Sequence, residues 1–169
     1  MFTVPDSPVI TVPSYRQNLG TTPLIFLAGP IKNAPNWQAE AISIFLAMKP
    51  QPTIANPRGS DPWHGDYKAQ VDWERLHLNH ACKYGVVLFW MSREASHDCR
   101  RSYAQTTRVE WGRVFERFLN QGARIAIGVE TGFSGEKYIK DMIDTEAPAL
   151  RINSDLTDTC YSAFNSLKS

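Results

Sequence analysis

Residues 85–90, GVVLFW, decide how the rest of the chain is read. A glycine opens a run of five apolar residues, β-branched and aromatic among them, without the polar alternation of a half-exposed strand. Such a run, bounded by polar segments, reads as a strand buried on both faces. On its N-terminal side, residues 67–83 place Val71, Leu76, Leu78 and Ala81 in an otherwise polar helix that carries Asp72, Glu74, His77 and His80. On its C-terminal side the loop MSREASHDCRRSYAQ leads to a helix from about Thr107 to Asn120, which Gly122 closes as a C-cap.

The alternation continues outward. PLIFLAGP (23–30) supplies an apolar strand that stops at Gly-Pro, and NWQAEAISIFLAM (36–48) sets Trp37, Ala41, Ile44, Phe45 and Met48 at helical spacing behind Asn36 as N-cap. TIAN (53–56) is a short strand running into a Pro/Gly/Asp-rich loop. Downstream, RIAIGVE reads as a strand, KYIKDMID as a short helix, PALRIN as a terminal strand and DTCYSAFNSL as a last helix. Apolar strands alternating with helices predict a single α/β domain: a doubly wound sheet of about five mainly parallel strands over residues 23–169, behind a Pro-punctuated leader, residues 1–22.

Composition narrows the classes of function. The chain has 169 residues, 43% of them apolar and 21% charged, with a formal net charge of +1 and no long Lys/Arg run, so a nucleic-acid polymer is not the expected partner. No apolar run approaches the roughly 20 residues of a membrane helix. The first residues lack a basic start and an uninterrupted apolar stretch, so the expectation is a soluble, cytoplasmic protein. Cys82, Cys99 and Cys160 form no CxxC pair and suggest neither a disulfide framework nor a zinc site. Neither GxGxxG after the first strand nor GxxxxGK[ST] occurs, which argues against a nicotinamide dehydrogenase or a P-loop enzyme, and nothing marks a flavin site. No cofactor and no metal are expected; HExxH is absent.

Doubly wound sheets bind ligands outside the carboxyl ends of their strands. Three segments should meet there: AGPIKN with Gly29 and Pro30, NPRGSD with Asn56, Arg58 and Asp61, and the loop from Trp90 to Thr107. Just beyond lies Glu110, in TTRVEWG. Thr107-x-x-Glu110 fits a capping box, in which the carboxylate serves the helix start. Glu110 also aligns with Val114 and Phe118 on the core-facing stripe, at the mouth of the expected site, where helix N-terminal donors would keep it ionised. Glu74 and His77, spaced i, i+3, share a face of the preceding helix, with Asp72 nearby; a solvated polar face is the plainer account of that cluster. A carboxylate and a second acidic group roughly 5 Å apart can cleave a glycosidic bond with retention, through a covalent glycosyl-enzyme intermediate.

IFLAGPI (25–31), NPRG (56–59), VDWERLHL followed by VVLFW, and TTRVEWG, in that order over about residues 24–130, resemble the nucleoside 2-deoxyribosyltransferase-like superfamily. The resemblance implies a flavodoxin-like fold and cofactor-free exchange of nucleobases on 2′-deoxynucleosides by double displacement. It implies Glu110, in Glu110-Trp111-Gly112, as nucleophile. It also implies an acidic group in the helix before the central strand: by position His77, by chemical type Glu74, with Asp72 beyond. Two departures mark a divergent branch: Phe26 replaces a strand-one tyrosine, and Ala104 or Gln105, with Thr106 and Thr107 nearby, replaces an acidic residue. The implied partners are a 2′-deoxynucleoside, a free nucleobase and further copies of the chain, sharing active sites in a homo-oligomer, for which the region around Tyr138 is the candidate contribution. Phe26, Trp37, Trp63 and Trp90 are candidate stacking surfaces for the base. Arg58, Asn56 and Asp61 are candidates for the base or a 5′-group; an Arg58 facing a phosphate would favour nucleotides. The alternatives are a nucleoside or nucleotide N-glycoside hydrolase, in which water resolves the intermediate, and a non-catalytic nucleotide- or flavin-binding module in which Glu110 only caps its helix.

Overall fold

In the computed structural model, residues 7–16, 18–59 and 66–168 are described. Among them the chain runs β1 (Val9–Thr11), β2 (Leu24–Ala28), α1 (Trp37–Ala47), β3 (Thr53–Asn56), α2 (Tyr67–Tyr84), β4 (Val86–Met91), α3 (Gln105–Gln121), β5 (Ile125–Val129), α4 (Glu136–Glu146), β6 (Ile152–Asn153) and α5 (Leu156–Lys168). The strands form one parallel sheet in the order β1-β3-β2-β4-β5-β6. From β3 to β6 this is the flavodoxin-like doubly wound order.

Every residue of β2, β4 and β5 is buried. Side chains alternate across a strand, so successive residues feed opposite cores. Phe26, Val87, Phe89 and Ile127 join Trp73, Trp111, Phe115 and Ile139 from α2, α3 and α4. Ile25, Leu88, Trp90 and Ala126 join Trp37, Phe45, Cys160 and Phe164 from α1 and α5. Burying each such aliphatic or aromatic side chain is worth about 1.5–3 kcal/mol, which explains why these strands carry no polar face. Among the described residues no helix is long and apolar enough to cross a membrane. Cys82 is half-buried, Cys99 exposed and Cys160 buried.

Two local readings need correction. The boundary after residue 22 does not mark the edge of the sheet: Val9–Thr11 adds a sixth strand, paired Val9↔Ile54 to Thr11↔Asn56 with β3. Prolines 8 and 13 flank it, and an edge strand tolerates them because only one of its sides is in the ladder; the Pro8 carbonyl itself accepts from Ile54 N–H at 2.7 Å. The second correction concerns α3, which starts at Gln105. Its N-cap, Ala104, sits in the left-handed region at φ 56° with no side-chain cap. Thr107 and Glu110 are therefore the third and sixth residues of the helix, and no capping box forms. Elsewhere the expected caps hold: Asn36 Oδ1 accepts from Ala39 N–H at 3.2 Å, and Gly122 closes α3 at φ 72°.

Two glycines make a test of this packing. A Cβ on Gly85 would lie 1.9 Å from the Leu24 carbonyl oxygen, backbone against backbone, whereas one on Gly112, inside α3, meets nothing within 4 Å. Urea denaturation should show Gly85→Ala losing about 3 kcal/mol or more. Gly112→Ala should gain about 0.5–1 kcal/mol, as a helical glycine without a packing reason does. A neutral Gly85→Ala would mean the β2–β4 contact is looser than described.

Candidate active site

The cavity opens where β2 and β4, neighbours in the sheet, send their following chains to opposite faces. Its floor is Ala28-Gly29-Pro30. Gly29 is required by close approach: a Cβ there would stand 2.4 Å from the Trp90 carbonyl oxygen and 2.6 Å from Trp37 Cζ2. One wall is a stripe of α2, Tyr67, Gln70, Val71 and Glu74, at the spacing that keeps residues on one helix face. The other is the start of α3, Ala104 to Thr107, and then Glu110. Ile31, Lys32, Pro57 and Arg101 complete a cavity of about 230 Å³.

Of the residues expected at a site, Glu110, Glu74, Gly29, Pro30 and Thr107 line this cavity. Asp61 and Trp63 lie outside the described residues. The others are drawn elsewhere, each for a physical reason. His77 lies about 4.5 Å further along the helix axis than Glu74, below the mouth, where its ring packs 4.1 Å from Trp73 and 5.9 Å from Tyr15. It is buried, bonded through Nδ1 to the Trp73 carbonyl at 2.8 Å, and burial pushes its pKa down. It is a core histidine. Asp72 points to solvent and pairs with Lys68 and Arg75, and Lys68 holds its carboxyl below the usual range.

The aromatic candidates are core as well. Phe26 packs against Trp73 at 6.4 Å, and Trp90 lies on the sheet's opposite face over Gly128. Trp37 is a strap: its Nε1 donates to the Pro30 carbonyl at 2.9 Å and so fixes the cavity floor. Arg58 does similar work for the rest of that loop, donating through Nε to Gln38 Oε1 at 2.9 Å and through Nη2 to the carbonyls of Ile31 at 2.8 Å and Pro35 at 3.1 Å. Asn56 holds Arg58 in turn, accepting from its N–H at 3.0 Å and donating to its carbonyl at 3.2 Å. These groups serve loop carbonyls that would otherwise be unsatisfied, so Arg58 does not face a phosphate in the cavity.

The loop after β4 is anchored by Tyr103, whose hydroxyl donates to the Ser92 carbonyl at 2.8 Å, and this sets Arg101 and the first turn of α3 at the mouth. With no side-chain cap, the first amides of α3 have no partner among the described residues. Thr107, 4% exposed, also finds none for its hydroxyl. Lys32, Arg101, Tyr67 and Gln70 escape a reading that looks only for acids and stacking rings. The spacing back from Glu74 along one helix face would have found Gln70 and Tyr67.

The two carboxyl groups differ in state. Desolvation raises Glu74, and a hydrogen bond from Gln70 partly offsets this. Glu110 is pushed up to about 8, first by desolvation and then by the Glu74 charge, with Arg113 pulling the other way. Glu110 is half-buried and lines the cavity. Glu74 ionises first, against a neutral neighbour, so only Glu110 ionises against an existing charge. The expectation that helix donors keep Glu110 ionised is thus reversed: it sits in the second turn, past the free amides. Between the two titrations the pair holds one proton. Compared with known proteins, the sequence matches no family model and no curated protein.

The raised carboxyl of Glu110 has a signature in stability. The folded state keeps a proton that the unfolded chain, with an ordinary pKa of 4.5, releases. Its contribution is full below that value and is lost as pH rises through about 8. Urea titrations should show the parent losing on the order of a few kcal/mol across this window relative to Glu110→Gln. Identical pH slopes in the two proteins would place Glu110 in ordinary solvent.

Proposed function

We propose that this protein is a nucleoside 2-deoxyribosyltransferase, exchanging the nucleobase of a 2′-deoxynucleoside through a covalent deoxyribosyl-Glu110 intermediate. The observation that carries the reading is the pair Glu110 and Glu74: two carboxyl groups from different helices, lining one cavity at the carboxyl ends of a doubly wound sheet, both raised by burial and Glu110 raised further by the Glu74 charge. Motif order supports it, since TTRVEWG and VDWERLHL supply those two residues.

In the reactive arrangement Glu110 is the anion and Glu74 carries the proton. Glu74 protonates a nitrogen of the bound base, the C1′–N bond breaks and its electron pair leaves with the base, while a Glu110 oxygen bonds C1′ through an oxocarbenium-like state. An acceptor base then attacks C1′, its proton passes to Glu74, and Glu110 departs as carboxylate. The cavity is smaller than the roughly 300–1,000 Å³ of drug-sized sites, in keeping with a small ligand. Tyr67 and Val109, exposed beside the mouth on α2 and α3, offer surface for a neighbouring copy to complete it.

A 5′-phosphate on the substrate has support of its own. With Arg58 committed to the loop, the cations at the cavity are Lys32 and Arg101, beside the uncapped start of α3. An anion gains from both. Arg101→Ala should then raise KM for a deoxynucleotide about tenfold and leave that for the deoxynucleoside nearly unchanged; equal effects on both would assign the cations no phosphate.

The central test is base exchange followed by chromatography. Glu110→Ala should fall to background, and Glu74→Gln should lose about 10²–10⁴-fold in rate. Mass spectrometry of the parent, quenched with deoxynucleoside alone, should find deoxyribose on Glu110. Product formation that ignores added acceptor base would make the protein a hydrolase instead, and full activity of Glu110→Ala would sink the nucleophile assignment.

A further inference from the structure

Gln70 faces the cavity from α2, one turn before Glu74, and its Nε2 donates to Glu74 Oε1 at 3.0 Å. A donor aimed at a carboxylate favours the ionised form over the protonated one. The contact is asymmetric: among the described residues no group donates a hydrogen bond to the Glu110 carboxyl. The other charged and titratable groups near the pair are Lys32 after β2, Tyr67 on α2, and Arg101 and Arg113 before and on α3; Pro57, after β3, brings no charge. Arg113 acts on Glu110 through space and favours its anion, against the direction of Gln70. Within this set Gln70 alone touches one member of the pair and not the other.

We propose that Gln70 is the positioning residue of the pair: its amide, bonded to Glu74 from the cavity wall, favours Glu74 as the anion in the empty cavity, and a ligand acceptor that takes up this N–H removes that bias and so favours protonation of Glu74. The second half rests on the transfer reading given above; the first is a property of the empty protein. Lifting the bias needs only a competing acceptor within reach of one amide. A half-buried side chain on the cavity wall, free to turn about its own torsions, is suited to give it.

The test uses protein labelled with ¹³C at the glutamate carboxyls, titrated by NMR without ligand, with the two signals assigned from Glu74→Gln and Glu110→Gln. In the parent, Glu110 should titrate near 8, above Glu74. In Gln70→Met the Glu74 midpoint should rise by about one pH unit, the scale of one hydrogen bond to a charged group. Gln70→Leu provides a second variant without the donor, and both are good helix formers. In the exchange assay, the acid limb of the kcat/KM profile should move up by the same amount in both variants, whereas a merely structural role would lower the profile at every pH without moving its limbs. An unmoved Glu74 midpoint in a folded Gln70→Met or Gln70→Leu overturns the proposal. If the parent exchanges no bases, the transfer reading fails while the carboxyl titration still decides whether Gln70 holds the Glu74 anion.

Discussion

The site depends on one topological constraint: β2 and β4 lie side by side, Ile25↔Val86 through Ala28↔Phe89, yet the helices that follow them pack on opposite faces. Two chains leaving adjacent strand ends in opposite directions cannot close over the sheet, and the gap they leave is the cavity. α2 reaches β4 along the same face as α3, so Glu74 and Glu110 look into that gap from two walls. The backbones meet so closely beneath it that Gly29 has no room for a Cβ. The back of α2 is held by the chain ahead of β2, where Trp73 Nε1 donates to the Ser14 carbonyl at 2.6 Å and His80 Nε2 pairs with the Thr22 carbonyl at 2.8 Å. Residues that read as a leader thereby help to hold the helix that carries Glu74.

Polar side chains near the cavity divide according to what each would leave unsatisfied. The loop after β2 crosses the strand ends with its carbonyls turned to protein, and Trp37, Gln38 and Arg58 donate to them. Trp37 and Gln38 share the Pro30 carbonyl, so stranding that buried acceptor, at about 1–3 kcal/mol, takes the loss of both. The first amides of α3 and the Thr107 hydroxyl are left instead toward the cavity, where a ligand can reach them. The chain thus contains cations of two kinds: Arg58, bonded into the floor, and Arg101, at the mouth with no ion pair among the described residues. Composition does not separate them; only the position of nearby carbonyls does.

This is also the measure of what the sequence made legible. Strands and helices were readable because a sheet buried on both faces leaves contiguous apolar runs, as in GVVLFW, and its covering helices keep a 3.6-residue period. β1 escaped because three residues, Val9–Thr11, between prolines hold no period, and pairing with β3 alone makes them a strand. The start of α3 escaped because Thr107-x-x-Glu110 is a sound local signal that tertiary context overrides: the loop held by Tyr103 delivers the chain to Ala104 already turned. Within the site, Glu110 and Glu74 were legible as acids on faces that point inward. His77 was not separable from Glu74 by spacing, since a helix face continues past the end of a cavity, and what ends it here is Tyr15, sixty-odd positions away in the chain.

The absence of the capping box bears directly on chemistry. Had Thr107 capped the helix, the Glu110 carboxylate would have been spent on backbone donors, ionised but engaged, and a poor nucleophile for that reason. Starting at Gln105 leaves Glu110 without such a bond and with a carboxyl pushed up to about 8. A neutral group is not a nucleophile either, but the pair as a whole already holds the one proton that the proposed transfer requires. The stable and the reactive arrangements differ only in which carboxyl bears it, and the repulsion between Glu74 and Glu110, which acts only when both are ionised, is absent from both. Keeping that proton on Glu110 in the empty cavity avoids two facing anions in a desolvated space. In the proposed transfer, a bound base that accepts from Gln70 and is protonated by Glu74 would supply the compensation at the moment the anion is needed, so that charge would develop on Glu110 only with C1′ in front of it.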